Sequence, residues 1–365
     1  MLAPASPLLE RVRALAPTLA RHRPSHDQQR HLDDEVVAAL QEADVFAALV
    51  PRELGGAELA PVEYLELLET LAAGDSATAW CVMTASTSTL LAGYLPRATA
   101  EALWPGAPAP FFAGIFAPMG RVIEEDGLSR LSGRWSWASG CRHARWLAVG
   151  ALAERRHVVC FVPAAEARIV DNWDTLGLAG TGSHDLIIEN VVVAPARITS
   201  VFDRQPWPAG ALARAPLFGV LALGIAGCAL GIARAALDHL GRGIGAEAPT
   251  AAFARHAELT AQLGSARAYL RETAVLTHDA AARGEVSPTV RGQLRLAASF
   301  AAARAAEVVR AAFHAGGGAS VRTGSVLGNA LRDVETLLTH RMVADRVLPA
   351  TARAMLGVGA LPPDL

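Results

Sequence analysis

The first hundred residues carry the pattern of amphipathic helices. Leu32 and Val36 belong to an apolar series at helical spacing, and acidic residues fill the first turn of that segment. Asp75 has the side chain of a helix N-cap, and the helix that it predicts carries Trp80. We therefore predict an N-terminal helical domain over residues 1–108.

The helical period fades near residue 108 and is replaced by short apolar runs. Segments such as 146–152 and 157–162 are rich in β-branched and aromatic residues, and turn pairs such as Asp126-Gly127 separate them. This pattern is typical of a small antiparallel β domain, either barrel-like or a sandwich, which we place at residues 109–208.

The helical period returns after residue 209 and continues to the end of the chain. Long helices with short connections predict a four-helix bundle over residues 209–365, and hence an α+β fold overall. The predicted helices cover residues 217–241, 250–283, 287–314 and 325–356. The longest apolar run, 217–233, is slightly short for a membrane span and contains four glycines, so we interpret it as a buried bundle helix.

Charge and composition exclude several function classes. The 365 residues carry a formal net charge of −2, so nothing indicates a nucleic-acid partner. All 33 basic residues are arginine, which excludes Schiff-base and P-loop lysines. The four cysteines lack metal-ligand spacing and no HExxH-like set exists, so we expect buried thiols and no metal site. The N-terminus lacks a signal-peptide apolar region, and we expect a cytoplasmic protein without a membrane partner.

The first segment with candidate chemistry is GRWSWASGCRHARWLAVGA, residues 133–151. Trp135 and Trp137 alternate along a predicted strand that ends at the hydroxyl of Ser139. Tryptophans on one face with a small hydroxyl at the turn suit a flat aromatic ligand. A packed β core with a capped turn explains the same residues.

The second segment, residues 172–198, combines glycines with hydroxyls. Gly180 and Gly182 allow close backbone approach, and Thr181 and Ser183 offer hydrogen-bond donors. The segment is not a dinucleotide-binding fingerprint, because the spacing differs and a strand follows instead of a helix. A ligand loop and a structured β loop are equally compatible with this pattern.

The third segment, residues 313–340, joins a glycine triplet to a histidine. Backbone N–H groups of three consecutive glycines can form an anion nest, and Arg322 can meet a phosphate. His340 follows Asp333 by seven residues, which puts both on one helical face; an isolated histidine on a helix is also commonly structural. The triplet is Gly316, Gly317 and Gly318.

Together these segments resemble the acyl-CoA dehydrogenase superfamily over nearly the whole chain. The closer likeness is to two-component flavin-dependent monooxygenases, of the 4-hydroxyphenylacetate hydroxylase, dibenzothiophene monooxygenase and amino-sugar nitrososynthase types. The supporting strings are Asp75-Ser76 with Trp80, SGRWSWASGCRHARW, WDTLGLAGTGSHD and LRDVETLLTH.

The resemblance implies the reaction and its participants. It implies a homotetramer, or a homodimer, that takes reduced FMN or FAD from a flavin reductase. Oxygen then forms a C4a-hydroperoxyflavin, which oxygenates a small substrate at an aromatic ring, an amine or a sulfur atom.

The resemblance also implies roles for individual residues. Ser139 corresponds to a hydroxyl near the isoalloxazine and His340 to the active-site histidine, so both are candidate catalytic residues. Trp80 and Ser88 occupy substrate-facing positions. The candidate flavin-binding residues are Trp137, Ser139, Thr181, Gly182, Ser183, Gly316, Gly317, Gly318 and Arg322.

Two departures from the relatives decide the subclass. The dehydrogenases need a carboxylate to remove a proton from the thioester substrate, and neither usual location, 338–342 or 215–219, contains one. Many of the monooxygenases carry a second histidine where this chain has Ser88. The sequence therefore predicts an oxygenase that acts on a different substrate, or that catalyses a reaction needing less base catalysis. The alternatives are a thioester dehydrogenase with a displaced base and a non-catalytic flavin-fold binding protein.

Overall fold

Eleven α-helices and one seven-stranded sheet make up the described part of the chain, residues 6–365 of the computed structural model. Helices precede and follow the sheet, as in the predicted α+β architecture, whose class is confirmed. The domain limits at residues 108 and 208 stay predictions. The helices are α1 Pro7–Gln29, α2 Asp34–Glu42, α3 Pro61–Gly74, α4 Ser76–Thr89, α5 Arg97–Leu103, α6 Ala211–Arg214, α7 Leu217–Arg242, α8 Thr250–Arg283, α9 Pro288–Ala315, α10 Val326–Leu338 and α11 Leu348–Leu356.

The sheet is mixed, whereas the sequence predicted an antiparallel one. Its strand order is β5-β6-β2-β1-β3-β4-β7, and the pair of β1 and β3 is parallel while the other pairs are antiparallel. Strand β2 returns beside β1, so β3 begins near the start of β1 and runs in the same direction. The strands are β1 Phe112–Glu125, β2 Leu128–Ala138, β3 Trp146–Ala153, β4 Arg156–Pro163, β5 Arg168–Val170, β6 His184–Val192 and β7 Ile198–Thr199.

One apolar core joins the N-terminal helices to the C-terminal bundle, and α7 lies at its centre. Glycines let α7 approach α3 closely: a Cβ on Gly231 would lie 2.5 Å from the carbonyl oxygen of Glu69. Helix α7 is long and apolar enough to cross a membrane, but 83% of its most apolar window is buried inside the protein. The prediction of a buried bundle helix is therefore confirmed.

The sheet has a second core of its own, built around Trp135. The Trp135 indole is fully buried and donates its Nε1–H to the carbonyl oxygen of Gly150 at 2.7 Å. Glycines at positions 120 and 133 leave room for this ring, because a Cβ on either would come within 2.7 Å of it. The four cysteines are free and buried, as expected.

The last predicted helix, 325–356, is broken in the structure. Helix α10 ends at Leu338, and α11 begins ten residues later. The buried guanidinium of Arg295, on α9, donates to the carbonyl oxygens of Met342 and Asp364 at 3.2 and 2.8 Å. The Met342 carbonyl is available to Arg295 because the chain has left the helix. His340 therefore lies in a turn rather than on a helical face.

Candidate functional site

Helix α4 presents Trp80 to the end of strand β2. The Asp75 carboxylate caps the helix by accepting hydrogen bonds from the N–H groups of Ala77 and Thr78. The Trp80 indole is nearly buried and donates its Nε1–H to Oγ of Ser139 at 3.0 Å. Two residues selected separately from the sequence are thus in direct contact.

The turn after β2 holds Ser139 in an unusual backbone conformation. Trp137 has φ 68° and Gly140 has φ 70°, so a bulky residue and a glycine both adopt the left-handed region. The pairing of β2 with β6 shifts register between Trp135 and Ala138. The Gly140 N–H then bonds the carbonyl oxygen of Thr181 at 2.8 Å, which fixes this turn against the second glycine-rich loop. Strained turns of this kind concentrate at functional sites.

Three buried hydroxyls form a chain that ends at Ser139. Oγ of Ser139 lies 2.7 Å from Oγ of Ser183, which lies 2.7 Å from Oγ1 of Thr181. The Thr181 hydroxyl donates to the carbonyl oxygen of Leu178 at 2.8 Å. Because a carbonyl only accepts, the proton order along the chain follows: Ser183 donates to Thr181, and Ser139 donates to Ser183.

This order determines what Ser139 can offer to a ligand. Its one proton is directed to Ser183, and one lone pair accepts the Trp80 indole N–H. The remaining lone pair can accept a hydrogen bond from a donor atom of a bound molecule. The hydroxyl is buried, with 4% of its residue surface exposed, so this acceptor is not saturated by bulk water.

His340 also packs against Trp80. The two rings meet edge to face, with centroids 5.7 Å apart and an interplanar angle of 70°. The Met342 N–H points to Nδ1 of His340 at 3.3 Å, so a neutral ring carries its proton on Nε2. Burial and the neighbouring guanidinium groups of Arg341 and Arg295 lower the pKa of His340 to about 4. The imidazole is therefore neutral at physiological pH and offers an N–H donor.

Asp333 anchors the elements around this cluster and is not itself available as a base. Its carboxylate accepts hydrogen bonds from Arg23 at 2.6 Å, from Ser76 and from the Leu178 N–H at 2.7 Å. These bonds join α1, α4 and the glycine-rich loop to α10. The sequence singled out Asp333 only for its spacing from His340. The contacts with Arg23 and Leu178 span 310 and 155 residues, and no local pattern reports them.

Ser88, two turns beyond Trp80 on α4, packs against strand β1. Its hydroxyl donates to the carbonyl oxygen of Thr84 at 2.7 Å, and a Cβ on Gly114 would lie 1.9 Å from Oγ of Ser88. The serine and the glycine therefore occupy a space that is too small for a larger pair. This contact gives a packing reason for a small side chain at position 88.

A cluster of aromatic rings beside this contact was missed by the sequence analysis. Phe116 lies two residues after Gly114 and hence on the same face of β1. Its ring centroid is 5.2 Å from that of Phe218 and 6.1 Å from that of Phe202, and Phe202 stacks on Phe218 at 5.9 Å. Phe116 is distant in sequence from Phe202 and Phe218, so only the fold brings it to them.

The remaining predicted flavin-site residues lie in two different environments. Trp137 is exposed over 66% of its surface, unlike the buried Trp135, so a large indole face is free beside Ser139. The glycine triplet follows α9: the Gly316 N–H bonds the carbonyl oxygen of Ala312, and Gly317 has φ 62°. Within residues 6–365, no hydrogen bond connects this turn or Arg322 to the hydroxyl chain. The structure thus brings together six predicted residues, Trp80, Trp137, Ser139, Thr181, Gly182 and Ser183, with His340 beside Trp80.

Comparisons with known proteins agree with this architecture. Sequence profiles for the acyl-CoA dehydrogenase N-terminal domain and C-terminal domain match residues 7–102 and 223–345. The chain is 33% identical to the indole-3-acetate monooxygenase of Pseudomonas putida, over 92% of this chain and 90% of that protein. It is 29% identical to the FADH(2)-dependent resorcinol hydroxylase, oxygenase component, of Rhizobium sp., over 96% and 94% of the two chains. The crystal structure of 3-HSA hydroxylase from Rhodococcus sp. RHA1 superposes with a TM-score of 0.91 at 25% identity, covering 99% of this chain and 100% of that one.

The chain therefore belongs to the acyl-CoA dehydrogenase superfamily, among its flavin-dependent monooxygenases. It is an oxidoreductase that uses a flavin, as the resemblance in the sequence implied.

Proposed function

We propose that this protein is the oxygenase component of a two-component system that hydroxylates an electron-rich aromatic ring of the indole type. Reduced flavin and O2 are the co-substrates, and a separate flavin reductase supplies the flavin. The names of the relatives support this reading, since one is an indole-3-acetate monooxygenase and another is an oxygenase component that depends on FADH(2). When it is bound, the reduced flavin activates O2 for transfer of one oxygen atom to the substrate.

The residues present fit an isoalloxazine ring. The exposed indole of Trp137 offers a flat face. The free lone pair on Oγ of Ser139 lies two residues further along the chain. Thr181 and Ser183 hold that acceptor, and Gly182 with φ 52° lets the loop fold around it. We assign these residues to the flavin ring. We assign Gly316, Gly317, Gly318 and Arg322 to the phosphate of FMN or FAD, across a subunit contact.

The direction of the hydroxyl chain carries the proposal. Ser139 has a lone pair to accept a hydrogen bond but no free proton to donate. A reduced flavin carries an N–H at its central ring, whereas the oxidised ring presents a bare nitrogen at the same position. With the central ring of the flavin at Ser139, the site would favour the reduced form, as an oxygenase that receives its flavin from a reductase requires.

His340 acts in this proposal as a neutral donor. Its Nε2–H is available to an oxygen atom of the substrate or of activated O2, while Nδ1 is held by the Met342 N–H. Trp80 fixes the ring from its edge and binds Ser139 with its N–H, so one side chain positions both catalytic residues. Burial around Trp80 excludes water from the reacting atoms.

Ser88 and the phenylalanine cluster favour an aromatic substrate that needs no deprotonation. A phenol becomes strongly nucleophilic only after losing its proton, whereas an indole ring is electron-rich as it stands. Ser88 provides no base, and its hydroxyl is engaged with the Thr84 carbonyl. Phe116, Phe202 and Phe218 offer an apolar aromatic surface for a flat ring.

We extend the proposal to assembly and location. Phe253 and Leu276 on α8 and Phe300 on α9 are exposed over 46%, 57% and 41% of their surfaces, which marks the outside of the bundle as an apolar face. A homotetramer, or a homodimer, formed through this face in the cytoplasm would cover it. Light scattering measures the mass of the assembly in solution. If the proposal holds, Leu276→Asp disrupts the contact between subunits and lowers that mass.

Anaerobic flavin binding tests the proposal most simply. The wild-type protein is titrated with reduced and with oxidised FMN and FAD. We expect each flavin to bind more tightly in its reduced form. Oxygen is then admitted together with indole-3-acetate or resorcinol, and the proposal predicts faster hydroxylation of the indole. Equal affinity for both redox states, or bleaching of bound oxidised flavin by an acyl-CoA thioester, would contradict it.

A further inference from the structure

A partly buried cluster on the far side of Asp75 has no role in the proposed chemistry. His22 and His26 lie one turn apart on α1, and Asp33 lies just before α2. One nitrogen of each histidine and one oxygen of Asp33 all lie within 4.8 Å of one another. Oδ2 of Asp33 is 2.6 Å from Nδ1 of His22 and 3.5 Å from Nε2 of His26.

The state of His26 makes this cluster unusual. The ring is fully buried, and its Nδ1 lies 2.9 Å from Oδ2 of Asp75. Because that carboxylate accepts, Nδ1 carries a proton, and Nε2 of the neutral ring bears a lone pair. Nε2 has no hydrogen-bond partner among residues 6–365 and is directed towards the Asp33 carboxylate. A lone pair facing an anionic oxygen is repulsive unless a cation lies between them.

We propose that His22, His26 and Asp33 bind a divalent transition metal of the zinc class. Imidazole and carboxylate are ligands that zinc accepts in a tetrahedral site, and water completes the coordination. Bonds of about 2.1 Å at tetrahedral angles place two ligand atoms about 3.4 Å apart. The distance of 3.5 Å between His26 and Asp33 matches that separation. His22 Nδ1 and Asp33 Oδ2 are a hydrogen-bonded pair 2.6 Å apart, and they have to separate by about 0.8 Å when the metal replaces the proton on Nδ1.

The surroundings of the cluster have the features of a metal site. Asp75 orients His26 through Nδ1, which is the arrangement that raises the basicity of a metal-binding histidine. The other oxygen of Asp33 accepts from Ser25 at 3.0 Å and from Gln29 at 2.6 Å, so the carboxylate is held in place. The side chains of His22 and Asp33 are 22% and 20% exposed, which gives an ion access from solvent.

The bound metal connects the N-terminal helices to the active-site helix. It fixes His26, which contacts Asp75, and Asp75 caps the helix that carries Trp80. The metal is therefore structural, and its binding does not depend on the flavin chemistry. The sequence alone indicates no metal site, because His22 and His26 are not part of an HExxH motif and Asp33 is the N-cap of a different helix, α2.

Metal titration of the whole protein tests this inference. Protein dialysed against a chelator is titrated with Zn²⁺ by calorimetry and with Co²⁺ by visible absorption. We expect one equivalent to bind, the d–d bands of a low-symmetry nitrogen and oxygen site to appear with Co²⁺, and the melting temperature to rise with Zn²⁺ concentration.

Substitutions distinguish Zn²⁺ binding at this cluster from Zn²⁺ binding at exposed histidines elsewhere on the surface. His22→Gln and Asp33→Asn, both at partly exposed positions, each weaken Zn²⁺ binding about 100-fold or more. His239→Gln, at an exposed position of α7, leaves the affinity unchanged. The absence of stoichiometric binding, or binding that both variants retain, would overturn the proposal and leave a proton on Nε2 of His26 as the cation.

Discussion

The imidazole of His340 and the indole of Trp80 meet edge to face, with ring centroids 5.7 Å apart. The same indole donates its N–H to Ser139, so Trp80 lies between the two residues proposed to act in catalysis. This arrangement joins the turn after α10 to the end of β2. His340 and Ser139 resemble active-site positions of the flavin-dependent monooxygenases in sequence, and the fold brings both into contact with one indole ring.

The lowered pKa of His340 predicts a pH dependence of stability. In the unfolded chain the imidazole protonates near its ordinary value of 6.5, whereas in the folded protein it stays neutral down to about pH 4. Between these values the unfolded state binds more protons, so stability falls as the pH is lowered from about 6.5 to 4. At about 1.4 kcal/mol per pKa unit, the loss attributable to His340 amounts to about 3 kcal/mol at most.

Urea unfolding at pH 7.5 and pH 5 measures this effect. His340→Gln removes the titrating group, so the variant loses less stability than the wild type on acidification. His314→Gln, at an exposed helix end, serves as the control and follows the wild type. Identical pH profiles for the wild type and His340→Gln would show that the pKa of His340 is not lowered in the folded protein.

The direction of the hydrogen bonds along the hydroxyl chain predicts that the affinity for flavin depends on the redox state of the flavin. Thr181→Val removes the hydroxyl that donates to Leu178 and fixes the proton order. The hydrogen bond between Ser183 and Ser139 can then reverse its direction, with Ser183 as the donor. The hydroxyl proton of Ser139 is then free to be donated to oxidised flavin. We expect the preference for reduced over oxidised flavin to fall about tenfold, which corresponds to one hydrogen bond of about 1.4 kcal/mol.

Anaerobic titration of both redox states gives this ratio directly. Thr175→Val is a suitable control, because Thr175 belongs to the same loop but bonds the carbonyl oxygen of Gly177 instead. An unchanged ratio in Thr181→Val would mean that the chain does not set the proton on Ser139.

The contact between Ser88 and Gly114 predicts that a histidine cannot be restored at position 88. Oγ of Ser88 already lies where a Cβ on Gly114 would clash, so the larger imidazole is forced against β1. Overpacking of this kind costs about 1–3 kcal/mol. We therefore expect Ser88→His to lower stability by that amount without creating phenol hydroxylation.

Ser88→Ala provides the matched control for this substitution. It removes only the hydroxyl bonded to the Thr84 carbonyl within the same helix, and it changes stability by about 1 kcal/mol or less. Thermal unfolding and turnover of resorcinol are measured for both variants. A Ser88→His protein that is as stable as the wild type and hydroxylates resorcinol would refute the packing argument.

Among the substitutions near the site, we expect Asp333→Asn to cause the largest loss of stability. Asp333→Asn leaves the guanidinium of Arg23 without its charge partner, in a pair whose side chains are only 15% and 6% exposed. Breaking a buried pair costs about 3–5 kcal/mol. Glu335→Gln disturbs a pair with Arg310 that is 34% and 45% exposed, and it costs about 1 kcal/mol or less. Urea unfolding compares the two, and equal losses would contradict the anchoring role.

Local sequence patterns predicted a large part of the candidate site. Ser139, Thr181 and Ser183 could be chosen because hydroxyls beside glycines in turns are recognisable from a short window. The fold class followed from the change of apolar period along the chain. The resemblance gave Trp80 and His340 their expected roles, and the structure places these two residues in contact.

Other features depend on contacts that no short window contains. Arg295 on α9 binds the Met342 carbonyl and so accompanies the break in the last predicted helix. The parallel pairing of β1 and β3 depends on where β2 ends. The contact of Phe116 with Phe218 and the bond of Asp333 with Arg23 each join residues more than 100 positions apart, so the partners can be recognised only when the chain is folded.

Isotope labelling tests the central claim most directly. The protein is given chemically reduced FMN or FAD and indole-3-acetate under ¹⁸O2, and the products are analysed by mass spectrometry. The account predicts one ¹⁸O atom in each hydroxylated product and little labelled product from the Ser139→Ala variant. Reduced flavin that is oxidised with all of the label recovered as hydrogen peroxide, across indole and phenol substrates alike, would contradict the assignment as an aromatic-ring oxygenase.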